Sequence, residues 1–488
     1  METNMDSPVD KKKIKIFKPA LGFDLESKIA YVAIPVANID QGNKPKASNK
    51  LYIINSKKEC WPLIEEEFGK RDLYPEQTPQ FALGETRWAN HYIKSFLKDD
   101  NDDIFNPYLE VFLPIKNTLE DHIDFNHPLA STLISIWIMG TYIFPLFEAY
   151  PYLLISGTRG AGKSKLLEII NILAFNAELT SNASPSSLFR IIESNLCTIL
   201  IDEGESLTGN ERDKDILYIL NAGYKKNGTV TRTNKDTHQV EKFKVYSPKV
   251  VAAINPLDPT LKSRFISVIL IKTGNKDKGN KRVNDQSANW EKLRDGLYQF
   301  ALLSGFDVHE VFNKSSKINL LNGRNNELWT PILAIAEYLD SFDPGANLFL
   351  PLARFAKEEE ENTDSLDDWH LALLDSLNNL VTTFRPYLVG EVKKGMAPYI
   401  EDSPELERIT GRWVGNALHR LGFKRAPRKS NGAAYYINPD RVKDLRVRYE
   451  LDEVNEETPR QGGQQESPLI PSQHTSTTQS TDETDEET

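Results

Sequence analysis

The chain has 488 residues, with 59 Lys and Arg against 70 Asp and Glu for a net charge of −11, and it is 39% hydrophobic and 26% charged. That length exceeds one core and fits about two to four domains of an ordinary soluble protein. Only two cysteines, Cys60 and Cys197, are present. They exclude a disulfide framework or zinc knuckle and point to a reducing, cytoplasmic setting.

Residues 1–125 read as a mixed α/β region of unassigned role. Lys11, Lys12, Lys13 and Lys15 open it without the apolar stretch of a signal peptide. The segments AYVAIPVANI (30–39) and KLYIIN (50–55) alternate and carry β-branched and aromatic residues, which predicts strands. Trp88–Leu97 and Asn117–Ile123 have helical spacing, and Asp99, Asp100, Asp102 and Asp103 form a solvated acidic loop rather than a metal site.

Residues 126–272 alternate strand and helix, the pattern of a parallel sheet with crossover helices. Leu129 to Phe147 is nineteen residues without a charge, near the length of a membrane span. Its serines, threonines and Pro145, and its lead into the next strand, predict a buried helix instead, with no membrane contact. The apolar run Tyr152–Ile155 is followed by GTRGAGKS at 157–164 and then by Leu166, Leu167, Ile169 and Ile170. Strand, glycine-rich turn and helix start are the context of a phosphate-binding loop. Gly157, Gly160 and Gly162 allow the curl, and the N–H groups of Thr158, Arg159 and Ala161 join theirs around phosphate. Lys163 supplies a charge for the β/γ-phosphates and Ser164 a hydroxyl for Mg²⁺, so the expected ligands are ATP and Mg²⁺.

Thr198–Ile201 forms a second strand ending in Asp202 and Glu203, 39 residues after Lys163. Asp202 is placed to hold Mg²⁺, and Glu203 to act as general base on the attacking water. The adjacent glutamate favours a hydrolase over a small-molecule kinase. Next come a helix, DILYILNAGYKK, and a hairpin, Val230–Thr233 with Gln239–Tyr246, bearing Lys225, Lys226, Arg232, Lys235 and Lys242. In a ring such a hairpin would grip DNA phosphates in the pore; otherwise it is an exposed hairpin with ordinary lysine usage. The strand Lys249–Ile254 ends at Asn255, which can sense the γ-phosphate, initiate a turn before Pro256, or both. Arg264, in LKSRF just before FISVILIK, has the position of an arginine finger acting on a neighbouring subunit, or of a surface ion pair.

Residues 273–400 read as a helical lid and linker helices, with NWEKLRDGLYQFALL and ELWTPILAIAEYL periodic and the acidic stretch Glu358–Asp368 as a break. Residues 401–451 form a basic module: from Arg408 to Glu450 there are eleven Lys or Arg against three acids. Helix, turn, helix and basic hairpin is the layout of a winged helix. Arg412, Asn416, His419 and Arg420 lie on its recognition helix and Lys424, Arg425, Arg428 and Lys429 on its wing. DNA is the expected partner, with protein docking the other use of such a module. Residues 452–488 hold ten acids and one Arg with few apolar groups, an acidic disordered tail that masks the basic module in the overall charge.

The order GTRGAGKS, TILIDE, AGYKKNGTVTR, YSPKVVAAIN and LKSRF resembles the helicase-like AAA+ ATPases of plasmids, phages and integrated mobile elements. It is also similar in motif order to MCM-type replicative helicases. The resemblance covers roughly 140–340 and implies a P-loop AAA+ fold of the ASCE type. GRNNELWTPILAIAEYL then looks like the family's helical lid, making Arg324 a candidate sensor-2 arginine. It further implies a hexameric ring that unwinds forked DNA or tracks single-stranded DNA. The alternative is an ATP-dependent switch or loader, in element maintenance or antiviral defence, that binds DNA without unwinding it.

Overall fold

The computed structural model describes residues 15–37, 49–79, 87–98, 105–179, 185–202, 204, 211–233, 239–254, 257, 259–284, 288–316, 320–343, 345–364, 368–400, 409–421, 423–427, 432–448 and 451. They fall into two compact units divided between Asn362 and Thr363.

The first unit opens with strands β1 (Lys15–Phe17), β2 (Leu21–Asp24), β3 (Ile29–Ala37), β4 (Asn49–Asn55), β5 (Cys60–Pro62) and β6 (Leu73–Pro75). The middle four form an antiparallel sheet in the order β2-β3-β4-β5, and β1 pairs in parallel with β6. Alternation along β3 serves two cores: Ala30, Val32 and Ile34 join the main core of the unit, whereas Tyr31 and Ala33 pack with Trp61 and Leu73. Helix Asn90–Lys98 begins two residues after the expected Trp88, because Trp88 turns inward to stack on Tyr298 and donate to Asp295 Oδ1 at 2.8 Å.

Every residue of helix Ala130–Gly140 is buried. Hydroxyls along it and just past its end find partners: Ser131 Oγ donates to Glu120 Oε1 at 2.6 Å, Ser135 Oγ to the Ser131 carbonyl at 2.7 Å and Thr141 Oγ1 to that of Ile138 at 2.6 Å. This explains a charge-free run without a membrane, and among the described residues no helix is long and apolar enough to cross one.

The central sheet contains β7 (Tyr152–Gly157), β8 (Glu178–Leu179), β9 (Ile199–Ile201), β12 (Lys249–Ala253) and β13 (Phe265–Leu270). All pairings are parallel, in the order β13-β7-β12-β9-β8. Both faces of β7, β9 and β12 are covered, so these strands are mostly apolar rather than alternating, whereas the edge strand β8 is exposed. Leu153, Ile155, Leu200, Val250 and Val268 face the main core; Tyr152, Leu154, Ile201, Val251 and Phe265 face a second one. Strands β10 (Thr229–Thr233) and β11 (Val240–Lys244) form the expected hairpin outside this sheet. The helix before it ends at Ala222, earlier than Lys226, since Gly223 and Tyr224 already belong to the hairpin's root.

Helices Ala288–Gln299, Gly305–Ser315, Gly323–Asp340 and Phe349–Asp364 complete the unit, the last ending two residues past the division. The last runs through most of the acidic stretch expected to break it, because glutamate is a good helix former when solvated.

In the second unit, β14 (Arg385–Leu388), β16 (Ala434–Ile437) and β15 (Lys424–Arg425) make an antiparallel sheet in the order β14-β16-β15. Helices Asp368–Leu380, Val389–Met396, Gly411–Arg420 and Pro439–Arg448 surround a core of Leu373, Leu377, Tyr387, Val414, Leu418 and Ile437. The elements at 368–400 therefore pack with the basic module, upstream of the expected boundary at 401. The first helix expected there, near 404–409, lies largely outside the described residues.

Candidate functional site: the strand ends of the parallel sheet

Strand β7 delivers the chain to Gly157, where a Cβ would stand 2.2 Å from the Leu270 carbonyl oxygen, so only glycine fits beside β13. Gly160 and Gly162 take φ of 82° and 94°, which L side chains resist, and nothing lies within 4 Å of where their Cβ atoms would be. The turn is thus curled and open. Helix Lys163–Leu173 begins directly after it, with its free N–H groups and positive end at the loop. Ala161 is buried, while Thr158, Arg159 and Ser164 are exposed.

Lys163 Nζ donates to the carbonyls of Gly157 at 2.7 Å and Thr158 at 3.1 Å, so its ammonium lies across the loop. Ser164 Oγ donates to Asp202 Oδ2 at 3.2 Å. Strand β12 lies between β7 and β9, yet the hydroxyl and the carboxylate meet above it. This donor set fits a triphosphate with Mg²⁺: an open nest, one ammonium, and a hydroxyl and carboxylate within reach of one ion. Among the described residues no group of three or more His, Cys, Asp or Glu could hold a metal by itself.

Glu203 and Asn255 lie outside the described residues. Gly204 is described, and it packs so closely that a Cβ would meet Val251 Cγ1 at 2.5 Å.

A second cluster occupies the other edge of the same sheet. Arg264 precedes β13, and its carbonyl accepts from Tyr152 N at 3.0 Å, level with the start of β7. Its side chain is 9% exposed, donates from Nε to the Asn221 carbonyl at 3.3 Å, and sets its guanidinium carbon 5.4 Å from the Tyr224 ring centroid. Arg324, from the start of helix Gly323–Asp340, donates to Ser263 Oγ and stands 5.6 Å from the same ring. Burial, with the neighbouring Arg324 charge, lowers the Arg264 pKa. Lys249, at the start of β12, is fully buried. Its Nζ donates to the carbonyls of Ser247 at 2.9 Å, Val245 at 3.0 Å and Gly223 at 3.3 Å, tying the two ends of the hairpin together. Burial pushes its ammonium down to about 7.

The residues expected to contact DNA are in varied surroundings. Lys225 pairs with Glu327 at 2.9 Å and Lys226 with Glu148 at 3.4 Å, exposed pairs that a phosphate could displace. Arg232 instead lies over Phe189 at 4.9 Å and Tyr218 at 5.3 Å, fastening the hairpin to its own unit. Arg412, Lys424 and Arg425 are exposed in the second unit, and Arg420 belongs to helix Gly411–Arg420. Lys235, Arg428 and Lys429 lie outside the described residues. Sequence reasoning missed Tyr224 and Lys249. No local pattern marks a tyrosine as the meeting point of arginines from distant segments, and a lysine opening an apolar strand reads as a solvated end.

Fold and site together define an α/β protein with a P-loop-like parallel sheet. No family model matches the chain, and no curated protein matches it. A solved structure described as "The A form apo structure of NrS-1 C terminal region-CTR" aligns with 80% of this chain and 94% of its own, at a TM-score of 0.32 and 12% identity.

Proposed function

We propose that the chain is an AAA+ ATPase of the ASCE type that assembles as a hexameric ring and uses ATP hydrolysis to move along and unwind DNA, as a replicative helicase of a mobile genetic element. One observation carries the reading. Arg264 and Arg324 stand at the start of β13, while Lys163, Ser164 and Asp202 stand at the strand ends. A six-residue strand separates the two groups, roughly 17–20 Å, farther than a guanidinium reaches. Neither arginine can therefore touch phosphate held by its own loop, and closed rings bring opposite edges of neighbouring subunits together.

In such a ring Lys163 and the loop amides bind the phosphates, and Ser164 with Asp202 would hold Mg²⁺, which would supply neutralisation of phosphate charge. Glu203, next in the chain after Asp202, takes the proton of the attacking water, and Asn255 orients that water. Arg264 and Arg324 of the adjacent subunit stabilise charge on the transferred phosphoryl group, making Arg324 a trans-acting sensor 2. The hairpin Thr229–Lys244 and the basic second unit, read as a winged helix, contact DNA through Lys225, Lys226, Lys235 and Lys424. Strand displacement on a forked DNA with ATP and Mg²⁺ tests the proposal. The intact chain should separate the strands and Lys163→Ala should not; an active ATPase that never separates them would leave only a switch or loader.

A further inference from the structure

Strand β16 exposes one side chain of its four. Tyr435 and Ile437 are buried in the core of the second unit, whereas Tyr436 points outward and is 36% exposed. Cross-strand pairing places Lys424 on one side of Tyr436 and Pro386 on the other, forming one outward row over three strands. Phe384, just ahead of β14, stacks on Tyr436 with centroids 5.8 Å apart and planes inclined by 26°, and it remains 66% exposed. Two large rings thus lie side by side in water, the reverse of what a sheet face needs for folding.

The charges near them differ in how they are engaged. Arg385 is engaged, 3.8 Å from the Tyr387 centroid and 2.7 Å from Glu391. Lys424, level with Tyr436 on the same face, is exposed on the edge strand and makes no ion pair among the described residues, whereas Arg425 is level with Tyr435 and belongs to the opposite face. A flat apolar surface bordered by an exposed cation matches a ligand with planar π-faces strung on an anionic backbone.

We propose that Phe384 and Tyr436 form a stacking platform for unpaired bases of single-stranded DNA, with Lys424 holding a flanking phosphate. This rests on reading the second unit as a DNA-binding module, and it makes that module a reader of single strands rather than of duplex grooves. Bases stack on the rings regardless of identity, so the platform selects for strand state and not for sequence.

The test uses the full chain without nucleotide and three fluorescent probes: a thymidine oligonucleotide, an abasic oligonucleotide of the same length, and a duplex. The intact chain should bind the thymidine strand about tenfold or more tighter than the abasic one. Phe384→Ala with Tyr436→Ala should abolish that preference while leaving abasic affinity unchanged. The swap Phe384→Tyr with Tyr436→Phe should retain it, which excludes a folding defect as the cause. Lys424→Ala should weaken both single strands in parallel. The platform is overturned if the double alanine variant keeps the preference, or if the intact chain has none and favours duplex. Absence of binding to any probe would overturn the platform together with the DNA reading of the module. ATP hydrolysis at Lys163, measured without DNA, is independent of each of these results.

Discussion

Arg264 and Arg324, far apart in sequence, set their guanidinium carbons 5.4 and 5.6 Å from the centroid of one ring, that of Tyr224. Like charges share one ring only where something offsets their repulsion, and the ring face does part of this. The lowered pKa of Arg264 follows from its burial first and from Arg324 second. Removing either guanidinium should lower ATP hydrolysis about a thousandfold while nucleotide affinity changes little, because neither contacts the subunit's own loop. Steady-state ATPase together with nucleotide titration checks both halves. A loss confined to affinity would mean that these arginines bind nucleotide in their own chain.

Tyr224 supports that pair and also roots the hairpin, its carbonyl accepting from Tyr150 N at 2.9 Å. Tyr224→Phe keeps the ring and should leave hydrolysis within about twofold of the parent, since the cation–π contact needs no hydroxyl. Tyr224→Ala should destabilise the fold by about 3–4 kcal/mol and lose most of the activity. Melting curves beside ATPase rates at a temperature where both variants are folded separate the two effects.

The glycines of the loop should differ in sensitivity. At Gly157 a methyl group would meet the Leu270 carbonyl at 2.2 Å, so Gly157→Ala should cost about 2–3 kcal/mol and disrupt nucleotide binding. At Gly160 nothing lies within 4 Å, so Gly160→Ala should cost only the strain of φ 82°, about 1 kcal/mol. Chemical denaturation orders them, and equal costs would contradict this geometry.

Lys249 gives stability a definite pH dependence. The unfolded chain keeps this proton up to its ordinary value of 10.5, whereas burial makes the folded chain release it near 7. Between those values the unfolded state binds more protons, so stability rises with pH, by at most about 1.4 kcal/mol per unit; below 7 both states are protonated and this group contributes no slope. Cys197 acts in the opposite direction from pH 9 upward, since burial pushes its thiol to about 12 and the unfolded thiol ionises first. Denaturation of the parent and of Lys249→Met between pH 7 and 9 should therefore show a rising difference that is absent below 7.

Much of the loop and of its hydroxyl–carboxylate pair was legible because it is local. Gly157, Lys163 and Ser164 lie within one turn, and the apolar run ahead of Asp202 marks the strand that carries it. Hydrophobic alternation also revealed β3, β4 and the hairpin, and the charge-free run before the loop was correctly read as a buried helix. The other edge was only half legible. Arg264 could be singled out from LKSRF, but the ring shared with Arg324 depends on helix Gly323–Asp340 folding back onto Ser263, which no spacing encodes. Strand β14 was missed because RPYL carries a proline and looks like loop; as an edge strand it tolerates one.

The central claim is that each P-loop is completed by arginines from the next subunit. Mixing Arg264→Ala chains, whose loop is intact, with Lys163→Ala chains, whose arginine is intact, tests it most directly. Each variant alone should be inactive. At equal amounts, random assembly should restore about a quarter of the parent ATPase, since that share of interfaces joins an intact loop to an intact arginine. No recovery at any ratio, from variants shown to co-assemble, would contradict the shared site.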